Sequence, residues 1–248
     1  MSDEALEAAV AGNRRWYHSI ELAPGVVTPG QVDHRRVASR ILPGDLRGKR
    51  ALDVGTFDGF WAFAMEARGA EVVATDVETI DAAQWPPMHR ERLRAVTEDW
   101  DVRLGRGFTV AAGALRSHAR RVVCDVHALD ATAIGGPVDL AFMGALTLHL
   151  RDPVGALERV ASTLKPGGTL IQMEGFSPWA TLLAPRTPLG RFSAVRTDFN
   201  WWWPNVSLLK TWPWAAGLVD VKLKTIVRPK AAREMRGFYA VIESRRPG

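Results

Sequence analysis

Between residues 50 and 60 the chain reads "RALDVGTFDGF". A short apolar run ends on Asp53, passes through Gly55 and Gly59, and enters a second apolar run with helical spacing. Glycines at a strand-to-helix turn have no Cβ, so a ligand can lie against the backbone at the helix N-terminus. The spacing is not the G-x-G-x-x-G dinucleotide fingerprint, because Thr56, Phe57 and Asp58 follow Gly55, and no Gly-Lys-Ser/Thr completes a phosphate loop. Two acids beside the turn, Asp53 and Asp58, repel a pyrophosphate and suit a ligand that brings cationic groups.

The rest of the chain alternates in the same way. "KRALDVG", "AEVVATD", "RRVVCDV", "VDLAFMGAL" and "TLIQMEGF" have the length and composition of strands. "GFWAFAMEARG" reads as a helix closed by Gly69, and "DPVGALERVASTLKPGG" as one capped by Asp152, opened by Pro153 and stopped by its glycines. "LVDVKLKTIV" and "GFYAVIES" pair best as a hairpin. Ahead of the first strand, residues 2–16 read as an amphipathic helix with Ser2 as its N-cap and Leu6, Ala9 and Val10 on one face. Residues 17–31 are irregular, and a short helix is expected over Asp33–Leu42. Strands alternating with helices imply an α/β fold with a parallel sheet, whose ligands bind at the carboxyl ends of the strands.

Composition narrows the class of function. Of 248 residues 47% are hydrophobic, enough for a packed core, and a single cysteine, Cys124, leaves neither an internal disulfide nor a cysteine-rich metal site. The six histidines lack ligand spacing, so no metal is expected. No apolar run reaches membrane-spanning length and the acidic start has no signal-peptide core, so a cytoplasmic enzyme is expected. The net charge of +5 comes mainly from scattered arginines and favours a polyanionic partner only weakly.

Taken in order, these motifs resemble the class I S-adenosylmethionine-dependent methyltransferases. The resemblance covers about residues 48–245. "LDVGTFDGF" resembles their first motif, which implies cofactor contacts by Asp53, Gly55, Thr56, Phe57 and Gly59. Asp76, ending the second strand with Val77 after it, is similar to the acid that accepts from the ribose hydroxyls. Asp125 and Val126 resemble the residues that meet the adenine. "DLAFMGAL" resembles the stretch whose backbone, at Gly144, lies under the methionine part. The implied fold is a Rossmann-like seven-stranded sheet, mostly parallel with an antiparallel C-terminal hairpin and helices on both faces. The implied cofactor is S-adenosyl-L-methionine. Residues 1–47 then form an N-terminal helical and irregular cap on a 48–248 methyltransferase domain, with a substrate-lining insertion at about 176–204.

Within that family, "WYHSIEL", "APGVVTPG" and "WWWPNVSLLKTWPWAAGLVDV" resemble the tRNA wobble-uridine (carboxy)methyltransferase-like branch. Its tRNA-modifying members carry a sizeable N-terminal RNA-binding region, whereas about 45 residues precede the first strand here. They hold carboxy-S-adenosylmethionine with basic residues and a tyrosine; this chain has "GALTLHLRDP" and "QVDHRR" at those places. Plain S-adenosylmethionine and a small-molecule acceptor are therefore expected, with tRNA as the alternative partner. The cap segment is expected to act as a lid. A monomer or homodimer fits either reading. A catalytically silent methyltransferase-fold protein and a nicotinamide-dependent oxidoreductase are the other readings, and the Asp53, Gly55, Gly59, Asp76 set speaks against both.

Of ten tryptophans, Trp16, Trp61, Trp179, Trp201, Trp202 and Trp203 fall in segments expected near the mouth of the sheet. Trp16, Tyr17, Trp61, Glu174, Trp179 and Trp202 are the candidate acceptor-binding residues, alongside Trp201 and Trp203. Methyl transfer to a hydroxyl asks mainly for positioning, and for a base to take the proton. His149, after the fourth strand, and His18, in the cap, are the candidate bases, with Glu174 after the fifth strand as a third polar candidate. His34, His89, His118 and His127 are expected at the surface or on helices.

Overall fold

Five consecutive strands run parallel and two late ones close the sheet. They are β1 (Arg50–Val54), β2 (Glu71–Asp76), β3 (Arg120–Val123), β4 (Val138–Gly144), β5 (Leu164–Gly175), β6 (Val219–Val227) and β7 (Tyr239–Arg245). The order across the seven-stranded sheet is β3-β2-β1-β4-β5-β7-β6. β1 pairs parallel with β2 and β4, and β7 pairs antiparallel with both β5 and β6. The order turns back between β1 and β4, so the crevice for a ligand opens above those two strands. The computed structural model describes residues 3–97, 103–194 and 199–248.

Eight helices accompany the sheet among the described residues: α1 (Asp3–Gly12), α2 (Ala38–Ile41), α3 (Phe60–Glu66), α4 (Arg90–Thr97), α5 (Arg106–Leu115), α6 (Pro153–Thr163), α7 (Pro178–Leu183) and α8 (Val206–Ala215). α3 and α5 cover one face and share its core with Leu6, Trp16, Ile20, Leu22, Ile41 and Leu46 from the N-terminal 47 residues. α6 and α8 cover the other, where Leu157, Val160, Leu209 and Trp212 pack on Leu52, Ala141 and Leu170. Burial on both faces is why β1 and β4 read as continuous apolar runs. The edge strand β6 is largely exposed, and its Lys222 and Lys224 both pair with Glu243 of β7, at 2.9 and 3.0 Å. Lysines of this kind discourage further strand pairing.

Local chemistry sets the main boundaries. α3 begins after Gly59, at φ +92°, and a Cβ there would lie 2.5–2.7 Å from the rings of Phe63 and Phe108, so only glycine lets α3 and α5 approach this closely. Asp152 accepts from the N–H of Gly155 at 2.8 Å, capping α6 with Pro153 in its first turn.

Three boundaries differ from the sequence expectation. α1 ends at Gly12 rather than residue 16, because Trp16 folds back and its indole N–H donates to the Val10 carbonyl at 3.1 Å; its expected cap, Ser2, lies outside the described residues. The helix expected over 33–42 is only α2, because Val32–Asp33 pair instead with Lys230–Ala231. β5 begins at Leu164, with the "KPGG" turn bulging between its pairing at Leu164 and at Thr169. The 176–204 region holds α7 and an antiparallel pairing of Gly190–Phe192 with Trp202–Pro204.

Candidate active site

At the top of β1 the turn is tied down from three sides. Asp53 is buried, and its carboxylate accepts from Thr56 Oγ1 at 2.7 Å and the Ala62 N–H at 3.0 Å. Burial pushes its carboxyl up to about 6, against those hydrogen bonds. The N–H groups of Gly55 and Thr56 both donate to the Thr75 carbonyl of β2, at 2.9 and 3.0 Å. Gly55 sits at φ +73°, and a Cβ on it would lie 2.9 Å from the Leu146 side chain. The left-handed φ at this turn therefore favours glycine.

Asp76, at the end of β2, accepts the Phe57 N–H at 2.7 Å and its neighbour Val77's at 2.8 Å. Burial lifts its carboxyl above the ordinary range. Past β3, Asp125 accepts the His127 N–H at 2.7 Å while its side chain stays about half exposed, with Val126 half-buried beside it. Phe57 and Ala145 have φ of +51° and +50°, left-handed values uncommon for residues with a Cβ. They flank the crevice at the ends of β1 and β4.

The cap meets this turn through Asp58. Its carboxylate accepts the backbone N–H of Tyr17 at 2.7 Å and of His18 at 2.9 Å, and bonds the His18 ring at Nδ1. His18 Nε2 has no hydrogen-bond partner among the described residues. The His18 ring stacks on Phe60, 5.6 Å between centroids, and lies 5.5 Å from the ring of His34. Thr28 completes the fold of the cap, donating to the His18 carbonyl at 2.7 Å and accepting from Ile20 N at 2.8 Å.

His34 is a correction to the sequence expectation. It is not on the surface but 1% exposed, between His18, Trp61 and Tyr239. The distant strand pairing of Val32–Asp33 turns it inward. Burial holds its imidazole well below the usual histidine range. His127 stays half-exposed. Its Nε2 lies 3.0 Å from the Asp152 carbonyl and its Nδ1 3.0 Å from Gln84 Nε2, which fits a ring protonated on Nε2.

On the far side of the crevice, Glu174 at the end of β5 is fully buried. Its Oε1 accepts the N–H groups of Leu146 at 3.0 Å and Thr147 at 2.8 Å, pinning the turn after β4. Burial pushes its carboxyl up to about 7. Burial raises the phenols of Tyr17 and Tyr239 above their usual range, and the Glu174 carboxylate adds to the rise. His149 bonds the Phe199 carbonyl through Nδ1 at 3.1 Å, which ties it to the 176–204 region.

The expected aromatic lining divides. Trp16 packs in the core against α5. Trp61 is 3% exposed, stacked on Phe142 at 4.3 Å, with its indole nitrogen beneath Gly144. Trp202 is half-buried against Phe192 and Trp212. Trp203 packs against Gly175 at the end of β5. Trp179 is 75% exposed on α7, next to the exposed Leu182 and Leu183. Trp201 is buried, its indole N–H bonded to the Gln84 carbonyl, and this joins the loop after β2 to the 176–204 region. Sequence reasoning placed Asp58 beside the turn as an acid for a cationic ligand, whereas its carboxylate is taken up by Tyr17 and His18 of the cap; the inward place of His34 it missed. Asp58 had its signal in the first motif itself.

A crevice at the β1/β4 reversal, floored by glycine and edged by acids on successive strands, narrows the family, and sequence comparison decides it. The family described as methyltransferase domain matches residues 31–223. The chain belongs to that family. Its fold is that of the class I S-adenosylmethionine-dependent methyltransferases, and it is an enzyme of that kind. Among curated relatives, the tRNA U34 carboxymethyltransferase of Pseudomonas paraeruginosa (strain DSM 24068 / PA7) is 30% identical over 209 residues, which are 80% of this chain and 55% of that protein. The enzyme of the same name from Methylococcus capsulatus is 26% identical over 203 residues, covering 82% and 53%. The chain thus spans about half the length of the curated relatives it matches. Among solved structures, the N-terminal domain of EvdMO1, determined in the presence of SAH and D-fucose, is 17% identical with a TM-score of 0.61, covering 99% of this chain and 98% of that one. A Mesorhizobium loti S-adenosylmethionine-dependent methyltransferase is 16% identical with a TM-score of 0.50, covering 86% and 97%. Among the described residues no helix is long and apolar enough to cross a membrane.

Proposed function

We propose that this methyltransferase acts on a hydroxyl of a small-molecule acceptor, with His18 as the base that takes the hydroxyl proton. The observation that carries this reading is the bonding of His18 to Asp58 on the cofactor turn itself. The donor set fits S-adenosylmethionine, with a turn that favours glycine at Gly55 and acids at the ends of β2 and β3. Asp76 would take the ribose hydroxyls, Asp125 with Val77 and Val126 the adenine, and the Gly55–Gly59 turn with Gly144 the methionine part. When bound, the cofactor supplies a methyl group activated by sulfonium.

This chain's own residues do the rest. Asp58 occupies Nδ1 of His18 and fixes the ring, which leaves Nε2 as the nitrogen to receive a proton. The buried cap segment excludes water from the place of reaction. Glu174 holds the turn at Leu146 and Thr147 that faces the cap. His149, tied to the 176–204 region, is the second candidate base.

The test is a methyl-transfer assay over an acceptor panel, with cofactor affinity measured separately. His18→Ala should lower turnover by about 10²- to 10⁴-fold, a typical loss for a general base, while leaving S-adenosylhomocysteine affinity nearly unchanged. Full activity in both His18→Ala and His149→Ala would remove the assignment of a base. A second reading, methylation or carboxymethylation of a tRNA wobble uridine, is supported by the names of the curated relatives and by the charge of +5. Titrating labelled bulk tRNA across salt with S-adenosylhomocysteine present separates the two. Tight binding with a steep salt slope puts RNA first, and no binding at low salt leaves the small molecule.

A further inference from the structure

The helix α7 turns its apolar side to solvent. Trp179, Leu182 and Leu183 have the i, i+3, i+4 spacing of one helix face, and they are 75%, 70% and 81% exposed. In a helix laid on a core, that face is the buried one. Here α7 is held to the protein by its polar side chains. Ser177 caps it through the Ala180 N–H at 3.2 Å, and Thr181 Oγ1 accepts the N–H of Val206 at 3.1 Å. Leu189 and Phe192 extend the apolar exposure along the same segment. A buried asparagine fixes the whole path. Asn205 Nδ2 donates to the carbonyls of Ala184 and Thr187 at 3.0 and 2.9 Å, and Oδ1 accepts the N–H groups of Leu189 and Leu208 at 3.1 and 2.9 Å. Its full bonding capacity is spent on holding these side chains outward.

Charge says what such a face meets. Between Glu174 and Asp198 the sequence has no acid. Arg186 and Arg191, both exposed, stand among the apolar side chains. Cations beside an outward apolar face suit anionic lipid, where the apolar groups enter the acyl boundary and the guanidinium groups stay with the headgroups. Tryptophan favours that same boundary. A second copy of the chain fits less well. Two-fold pairing would set these arginines against their own copies, and one short helix with a three-residue strand falls short of the roughly 800 Å² per partner that stable interfaces bury. Nucleic acid fits less well too, because Leu182, Leu183 and Leu189 do not stack on bases as aromatic rings do.

We propose that the α7 face docks this enzyme on an anionic lipid surface, with Trp179, Leu182 and Leu183 in the acyl boundary and Arg186 and Arg191 on the headgroup phosphates. The chain then lies on a membrane and does not span it. α7 starts three residues past Gly175, the last residue of β5, at the carboxyl ends of the strands where the crevice opens. Docking therefore sets that end of the sheet toward the lipid. It is independent of which acceptor is methylated.

The experiment is co-sedimentation of the full chain with vesicles of phosphatidylcholine alone and of phosphatidylcholine mixed with an equal part of phosphatidylglycerol. The chain should pellet with the mixed vesicles and stay in solution with phosphatidylcholine, and added salt should release it. Leu182→Ser combined with Leu183→Ser should weaken binding about tenfold for each side chain, the worth of burying a leucine. Arg186→Gln combined with Arg191→Gln should weaken it about fivefold for each charge removed. All four side chains are exposed, and an unchanged thermal-shift response to S-adenosylhomocysteine reports that the variants fold. The comparison of the two vesicles on the wild type needs no variant. Binding to neither vesicle, equal binding to both, or binding undiminished in the leucine variant overturns the proposal. So does labelled bulk tRNA bound without vesicles and lost in the leucine variant, which would give the face to nucleic acid. A dimer in sedimentation velocity that the leucine variant dissolves would give it to a second copy and overturn the proposal as well.

Discussion

The two ends of the crevice are built on opposite principles. At the β1–β2 end the buried acids are satisfied. Asp53, Asp58 and Asp76 each accept two or more hydrogen bonds from the chain itself. At the β4–β5 end a single buried carboxylate, Glu174, pins the next turn through the N–H groups of Leu146 and Thr147, and burial pushes it up to about 7. The first arrangement spreads its hydrogen bonds over three acids, and the second gathers them on one.

Variants at the two ends should therefore behave differently. The largest effect is expected at Asp58, which serves both the turn and the cap. Asp58→Ala strands the N–H groups of Tyr17 and His18 and the His18 ring, and should cost about 3–5 kcal/mol of stability, read by denaturant unfolding. Faster hydrogen exchange across residues 16–32 would accompany it. An unchanged exchange rate there would mean that the cap does not depend on this contact.

Glu174 should come next, with the opposite sign. Burial raises its carboxyl in the folded chain to about 7 from an ordinary 4.5. Between those values the folded state holds more protons than the unfolded one, so stability falls as the pH rises through that window. The loss is complete above pH 7 and amounts to about 3 kcal/mol. Glu174→Gln should flatten this part of the profile and melt higher than wild type at pH 8. Asp53, pushed up to about 6, contributes a fall of the same sign that the variant keeps. A variant that melts lower than wild type at pH 8 would mean that both ends are built alike.

Asp76→Ala should weaken S-adenosylhomocysteine by about 10- to 100-fold in calorimetric titration, the usual worth of hydrogen bonds to a charged group. Acceptor-side variants should leave that affinity alone. The smallest effect is expected at Gly55. Alanine there meets φ +73° and the Leu146 side chain, and should cost about 1–2 kcal/mol of stability together with some cofactor affinity.

Much of the geometry at the proposed cofactor end is legible in the sequence because it is local. Asp53, Gly55 and Gly59 lie within seven residues, Asp76 closes the next strand, and the Asp152 cap and Gly69 stop follow short-range rules. The fastening of the N-terminal segment depends on contacts between distant parts of the chain. Asp58 meets His18 forty residues away, and His34 is turned inward by a strand nearly two hundred residues further on. No periodicity marks either contact. The tryptophans misled for a related reason. An aromatic ring near the mouth of a sheet reads the same whether it lines a pocket or, like Trp16 and Trp61, packs behind one.

Because Tyr17 and His18 are fastened to the same turn that carries Gly55 and Gly59, the cap and the cofactor cradle cannot move independently. Each catalytic cycle would then be gated. On the proposed placement of the cofactor, its release would require the Asp58 contacts to loosen, and that loosening would also dismantle the proposed base. Turnover should accordingly be limited by release and not by chemistry, with a pre-steady-state burst of one methyl transfer per chain. A linear onset without a burst would place the slow step at the transfer itself.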